Sequence, residues 1–575
     1  MPPPFFTDSG VDRSPGLPGL PPGALPDPVS GTGRGWTSSA LRSFLRDWSV
    51  PLAACLWLAG VMVLRWPVFR EPGFSSDSPI DAAFFAYAGE LVRQGGTPYL
   101  SFWDHKAPLI FLVNAAGLAL SGGQPWGLWL LNLALFSAAN VLGYAAMKRA
   151  FGATAALFGT VCFALPVAAM LPLGMTEGYV IPLQWAAVLL LVRWDAARPT
   201  RFLPALALGV LGALAFYLRA NLAGAAVAVG LTLLLVMRGE RPARDRAVLV
   251  AAGLAGLALV TAALVGYLAS RGALAAFWDQ AFHYNVLYAR SELRTKAGAL
   301  HFGTTVATQY GSAAILFTAW VLGVLRLRSA GRRSANPALL LAVLWLPIEL
   351  LLASTSGRHY GHYYATTFAP AGLLAAAFVV ELAALVPAAP ARRLLVGLLA
   401  AGAALSAVAG TAMRLAIDVN EKARRQQVAI TADYVRSHTA AADRLFVWGH
   451  AADVHFLSGR PPASRFLYPL GLLTPRYADA ALVDGLVDEL RRAAPPLIVD
   501  ATPNAIEGEN LVPPLAQFDP AWYYPKNARP GRRYWSMTPE LRAFYDYVHG
   551  HYVPVATVGP QQWVVYQRLP EPAPR

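Results

Sequence analysis

Apolar runs of roughly twenty residues recur along most of this chain, and they restrict it to one kind of solvent. A bilayer core about 30 Å thick takes about 20 apolar residues per helix, and in lipid only a helix or a closed barrel can satisfy its own backbone. Eleven such runs stand at approximately 49–68, 125–147, 151–170, 178–192, 203–218, 221–237, 247–268, 313–327, 337–355, 365–386 and 394–416. Composition agrees, since 56% of the 575 residues are hydrophobic and 14% are charged, against about 25% charged in an ordinary soluble domain. The expected fold is therefore a polytopic α-helical membrane protein with about 11 transmembrane helices.

Basic residues set its orientation, because Lys and Arg in short loops stay on the cytoplasmic side. Lys148 and Arg149, then Arg193, Arg198 and Arg201, then Arg238, Arg241, Arg244 and Arg246, then Arg326, Arg328, Arg332 and Arg333, then Arg392 and Arg393 fall in alternate loops. That face reads as the cytoplasm. The net charge of +14 then describes topology and contact with anionic membrane lipid, and nucleic acid is not an expected partner. Residues 1–35 are rich in Pro, Gly and Ser and too poor in apolar side chains to offset chain entropy. A disordered cytoplasmic tail, extending to residue 48, is expected. The first apolar run begins too far from the start for a cleavable signal peptide and reads as a signal anchor. Cys55 and Cys162 lie inside apolar runs without disulfide or metal spacing, so they read as packing residues.

Beyond residue 416 charged residues become common and short β-like runs appear at Leu445–Trp448, 497–499, Tyr552–Val558 and 562–566, with a helical segment at 479–492. The pattern predicts a small α/β domain over 417–575, following a membrane domain over 49–416. An odd number of spans with the amino terminus inside places it on the extracytoplasmic side. No catalytic motif stands out in it, and its position suggests a lid or an acceptor-holding element.

Between the first two spans, residues 77–108 form a polar island on that same outer face. Ser78, Pro79 and Asp81 read as an N-cap, a first-turn proline and an acid at the third helical position, ahead of Phe84, Tyr87, Ala88 and Leu91 at helical spacing; Gly95 and Gly96 stop the run. An amphipathic juxtamembrane helix is expected here. A second short helix begins at Pro108 and ends before Gly122 and Gly123.

The island sequence IDAAFFAYAGELVRQGGTPYLSFWDHKAPLIFLVNA resembles the first external loop of the polyprenol-phosphate-sugar-dependent membrane glycosyltransferases of the GT-C superfamily, of the protein mannosyltransferase and aminoarabinose transferase type. MTEGYVIPL at Thr176 and Glu177, FYLRANL at Arg219 and Asn221, and GRHYGHYYATTFAP at His362 and Tyr363 follow in the same order as in that family. The resemblance implies inverting transfer of a sugar from a polyprenyl-phosphate donor to a lipid, glycan or protein acceptor outside the bacterial inner membrane.

That reaction needs a base for the acceptor's proton, and the resemblance places Asp81 there. An acid at this position is also an ordinary helix-start feature, and the family's second adjacent acid is missing, which leaves Asp77 or Glu177 as substitutes. The departing phosphate gathers negative charge, so cations held beside it favour the transition state. Lys106 and Arg219 fit that need. Lys106 equally fits a snorkelling lysine, and Arg219, costly between two apolar runs, equally fits an ion pair with Glu177. Arg358, His362 and Tyr363 are expected to hydrogen-bond carrier phosphate or sugar. Asp104, His105, His359 and His362 are the side chains that a divalent metal would use if the fold joined them.

Two other classes share this composition. A lipid-linked sugar transporter would carry its ionisable groups mid-span in repeated broken helices, whereas here they cluster at external helix ends. A polysaccharide polymerase or ligase would concentrate basic residues in a late external loop, and the stretch 269–310, with Arg271, Arg290, Arg294 and Lys296, is compatible with that reading.

Overall fold

A computed structural model describes residues 38–65, 79–170, 173–194, 201–237, 242–289, 293–308, 313–330, 336–417, 419–502, 512–518 and 537–570. Asp77, Ser78, Arg198, Arg238, Arg241, Arg290, Arg332 and Arg333 lie outside the described residues. The chain divides into two compact units, 1–48 and 49–575, and apart from the start of the first helix everything below concerns the second.

A helix stands at each of the eleven expected places. Seven are long and apolar enough to cross a membrane, among them Pro125–Phe151, Ala153–Met170, Ala243–Ser270 and Ala389–Met413. Thr176–Val192, Phe202–Leu218 and Gly224–Met237 are apolar but shorter, and Ala313–Ala330 ends in a basic turn at Arg328. The first helix starts at Ser38, inside the stretch expected to be tail. The helix after Arg219 starts at Gly224 and not at 221, because Arg219 is extended (φ −168°, ψ 127°) and Ala220–Leu222 form a 3-10 turn. This break lets Arg219 leave the helical ladder and reach sideways.

Buried asparagines tie the helix ends together. Asn114 donates to the Ile110 and Gly174 carbonyls (2.9 and 3.2 Å), Tyr179 donates to Asn114 (3.1 Å), and Gly174 N–H donates to Asn132 Oδ1 (3.3 Å). In lipid an unpaired amide is costly, so a network of this kind has few alternative arrangements. It fixes the turn just before Thr176 and Glu177.

The island forms the helices Pro79–Arg93 and Leu109–Ala119; the first does not present the exposed polar face of an amphipathic helix, because every residue from Ala82 to Glu90 is buried against its neighbours. They approach so closely that a side chain at Gly89 would lie 2.7 Å from Asn114 Cβ. Glu90 accepts from Arg93 and Gln94 (2.7 Å each), and Gly95 at φ +97° ends the helix. Between the helices Tyr99 takes a left-handed φ of +71°, a conformation that costs a non-glycine residue about 1–2 kcal/mol. Its carbonyl accepts from Gln280 (2.9 Å) and its hydroxyl donates to the Lys106 carbonyl (2.8 Å), which hold the strained loop in place.

In the C-terminal part four strands form one sheet in the order β1-β2-β4-β3: β1 Leu445–Trp448, β2 Leu497–Asp500, β3 Tyr552–Val558 and β4 Trp563–Arg568. β1 and β2 are parallel and fully buried, and the remaining pairs are antiparallel. Parallel pairing needs a crossover, supplied by the helix Ala480–Ala493. Asp479 caps it by accepting from Leu482 N–H (2.8 Å), and it buries Val483, Leu486, Val487 and Leu490 at one-face spacing.

This sheet region is locked to the island. Trp103 donates through its indole to Tyr477 (3.0 Å) and through its backbone to the Arg465 carbonyl (2.8 Å). Tyr477 in turn donates to Asp279 (2.6 Å), and Tyr284 pairs with Thr474 (2.9 Å).

Candidate active site

The polar side chains singled out in the sequence meet where the island loop, the ends of the helices carrying Glu177 and Arg219, and the 3-10 turn Gly361–Thr367 come together. Glu177 and Arg219 form an ion pair at 2.6 Å with the Glu177 side chain fully buried, and Thr176 donates to the second carboxylate oxygen (2.8 Å). The Arg219 guanidinium lies 3.6 Å over the Tyr363 ring, a stacked geometry that favours arginine. Tyr363 is thus a platform for Arg219.

Asp81 sits in the first turn of the island helix, where the helix dipole favours a carboxylate. His362 Nε2 lies 3.9 Å from it, and the Asp81 side chain is 39% exposed. The charges of Glu177, Asp81, Arg219 and Lys106 all act on His362, so these five groups share one field.

Lys106 Nζ lies 3.1 Å from His105 Nε2, and the His105 ring is packed against Tyr284 and Tyr288. Asn285 donates to the His105 carbonyl (2.6 Å), and Arg358 stacks 4.7 Å over Tyr288. Burial would raise the Tyr288 phenol, but Arg358, Lys106 and Arg219 together hold it below its ordinary value. The charges of three cations therefore act on one phenol.

Asp104 anchors the loop. It accepts from Tyr468 (2.8 Å) and from the Lys106 N–H (2.5 Å), and its own N–H donates to Gln280 (3.1 Å). Burial lifts its carboxyl to about 6 in spite of Lys106 and the Tyr468 hydrogen bond. An acid raised in this way holds its proton better when folded. Its contribution to stability is complete below about pH 4 and is lost as the pH rises to about 6, by an order of 3 kcal/mol. In detergent, the melting temperature of Asp104→Asn is expected to fall less across pH 4–6.5 than that of the wild type. Asp500, also lifted to about 6 by burial, is common to both proteins, so the difference isolates Asp104; parallel curves would refute it.

Asn221 makes its hydrogen bond outside this cluster, to the Leu352 carbonyl (3.4 Å), because the 3-10 turn swings it toward the helix Pro337–Ala353. His359 packs on Phe302. Among the described residues no three His, Cys, Asp or Glu side chains are grouped to hold a metal; Asp104 and His105 do not join His359 and His362 as a ligand set.

No protein-family profile and no curated protein sequence matches the chain. Solved structures do. ArnT from Cupriavidus metallidurans bound to undecaprenyl phosphate aligns over 90% of this chain and 99% of its own, with a TM-score of 0.57 at 14% identity. The apo state of the same protein aligns over 92% and 99%, with a TM-score of 0.56 at 15% identity. The chain has the ArnT fold. Both ArnT structures are matched along nearly their whole length.

Within this ArnT fold, several neighbours of the cluster carry no sequence signal. Gln280 belongs to a π-helix, Asp279–His283, and Asn285 and Tyr288 to the helix Tyr284–Tyr288, in a stretch noted only for its basic residues. Tyr468 is 364 residues from its partner Asp104. Trp103, whose indole reaches Tyr477, is the first residue of the stretch WDHK in the island sequence.

Proposed function

We propose that this chain is a glycosyltransferase of the bacterial inner membrane that moves a sugar from a polyprenyl-phosphate donor to an acceptor hydroxyl, with inversion, on the extracytoplasmic face. The observation that carries the reading is one accessible carboxylate, Asp81, in the same cluster as Lys106, Arg219 and Arg358, whose charges act together on Tyr288. The ArnT fold, in a protein whose structure holds undecaprenyl phosphate, supports the carrier class.

In the proposed reaction the acceptor oxygen attacks the anomeric carbon and its proton passes to Asp81. The bond from that carbon to the phosphate oxygen breaks, and the electron pair leaves with the carrier phosphate. Lys106, Arg219 and Arg358 stabilise the charge that develops there, which is where preorganised cations lower the barrier most. Asp81 serves as base in preference to Glu177, because Glu177 is sealed from solvent and already engaged by Arg219 and Thr176. His362 and His105 position Asp81 and Lys106.

An apolar groove of about 550 Å³, lined by Tyr217, Val265, Leu274, Phe277, Trp278 and Phe282, suits the first isoprene units. Its walls belong to the same chain segments that carry Arg219, Asn285 and Tyr288.

Turnover of radiolabelled polyprenyl-phosphate sugars by the purified protein tests the reading. Wild type is expected to release carrier phosphate and Lys106→Ala to lose about 100-fold in kcat, the scale of a single electrostatic contact. Carrier translocation across liposomes without sugar release would instead place the chain among transporters.

A further inference from the structure

The C-terminal module brings one titratable ring to the cluster that the reaction above does not use. His450 follows β1 at its carboxyl end, next to the parallel strand β2, the edge at which open α/β sheets present ligand-binding loops. The turn that delivers it needs glycine: Gly449 has φ +124°, and a side chain there would lie 3.3 Å from Ala501 Cβ. Arg424 donates to the His450 carbonyl (2.8 Å) and lies 3.6 Å from Asp453, fixing the backbone. The imidazole packs against Tyr468 with ring centroids 5.3 Å apart, and Tyr468 is the residue that holds Asp104.

Three facts mark this ring as more than packing. The carboxylate of Asp81 is near enough to act on it, alongside Arg424. Its Nε2 is buried and makes no hydrogen bond among the described residues, a costly state for a ring nitrogen unless a partner arrives with substrate. Burial lowers its basicity to about 4, so at neutral pH it is an uncharged ring with one donor and one acceptor nitrogen, the pair that a hydroxyl can use. His362, whose Nε2 is likewise buried and without a hydrogen bond among the described residues, meets Asp81 from the membrane part. The phosphate cations Lys106, Arg219 and Arg358 also belong to that part. In the reaction proposed above Asp81 takes its proton from the attacking oxygen, so a neutral polar group near Asp81, contributed by the other module, stands on the acceptor's side of the reaction.

We propose that His450 is a positioning residue for the acceptor, hydrogen-bonding a hydroxyl of the incoming molecule through Nε2 so that its neighbouring oxygen is presented to Asp81. The inference rests on the transferase reading and assigns the C-terminal module a part in choosing a hydroxylated acceptor.

The test measures two products in one reaction: radiolabelled undecaprenyl-phosphate sugar is supplied in a panel of donors, with lipid extract from the source membranes as the acceptor pool. Transfer appears as labelled lipid, and hydrolysis, in which water takes the acceptor's place, appears as free sugar. His450→Phe keeps the flat ring against Tyr468 and removes the nitrogen. It is expected to reduce transfer at least tenfold while leaving hydrolysis within threefold of wild type, and His450→Gln, whose amide reaches the place of Nε2, is expected to recover much of the transfer. A melting temperature for His450→Phe within a few degrees of wild type confirms that the fold is intact. Equal loss of both products, or failure of glutamine to restore transfer, would reduce His450 to a structural role and overturn the proposal. Transfer unchanged in His450→Phe would overturn it too, with the transferase reading intact. Neither product from wild type with any donor would remove that reading, and the proposal with it.

Discussion

Asp81→Asn is expected to lower turnover of polyprenyl-phosphate sugar by about 10²- to 10⁴-fold, the contribution of a positioned general base, with little change in donor affinity. The amide keeps the shape of the carboxylate and loses its charge and its capacity to take a proton. The side chain is 39% exposed and its one ionisable neighbour within 4 Å among the described residues is His362 at 3.9 Å, so the substitution leaves no buried charge unpaired and stability should move little. Single-turnover assays separate this from binding. An asparagine variant that transfers sugar at the wild-type rate would mean that Asp81 is merely a helix-start acid.

Arg219→Ala is expected to fail twice over, and a paired replacement separates the two failures. Glu177 is fully buried at 2.6 Å from the guanidinium, so removing Arg219 strands a carboxylate in a medium that cannot solvate it. Breaking a buried pair in this way costs about 3–5 kcal/mol, whereas replacing both partners by neutral groups of similar volume is often neutral. Arg219→Ala should therefore unfold at distinctly lower temperature and show no turnover. Glu177→Gln combined with Arg219→Met should regain most of the thermal stability and still show no turnover, because the phosphate cation is gone. Activity returning with stability would show that Arg219 serves the fold alone.

The parts of this molecule that obey one-dimensional rules were legible in its sequence. Span length is set by bilayer thickness, and helices stand at all eleven apolar runs. The strands could be read to within about two residues of their ends, because β1 and β2 are short, continuous apolar runs and β3 and β4 flank a turn at Gly559. The resemblance brought Asp81, Lys106, Glu177, Arg219, His362 and Tyr363 to notice, and each of them lies in the cluster.

What could not be read depends on tertiary proximity. Tyr288 and Asn285 have no periodic or motif signal; they matter because the short helix carrying them packs under His105. Asn221, which sequence spacing assigns to the neighbourhood of Arg219, makes its hydrogen bond to the Leu352 carbonyl because the three-residue 3-10 turn Ala220–Leu222 re-aims it. Tyr468 and His450 are the extreme case, since nothing local announces a contact made across more than 350 positions.

That separation governs when the molecule becomes competent during its synthesis. Asp104 emerges early, and its hydroxyl partner Tyr468 leaves the ribosome after more than three-quarters of the chain has been translated. A nascent or truncated chain holding every membrane helix would therefore insert with its island loop still unanchored, and the loop would gain its fixed shape only when the last module folds against it.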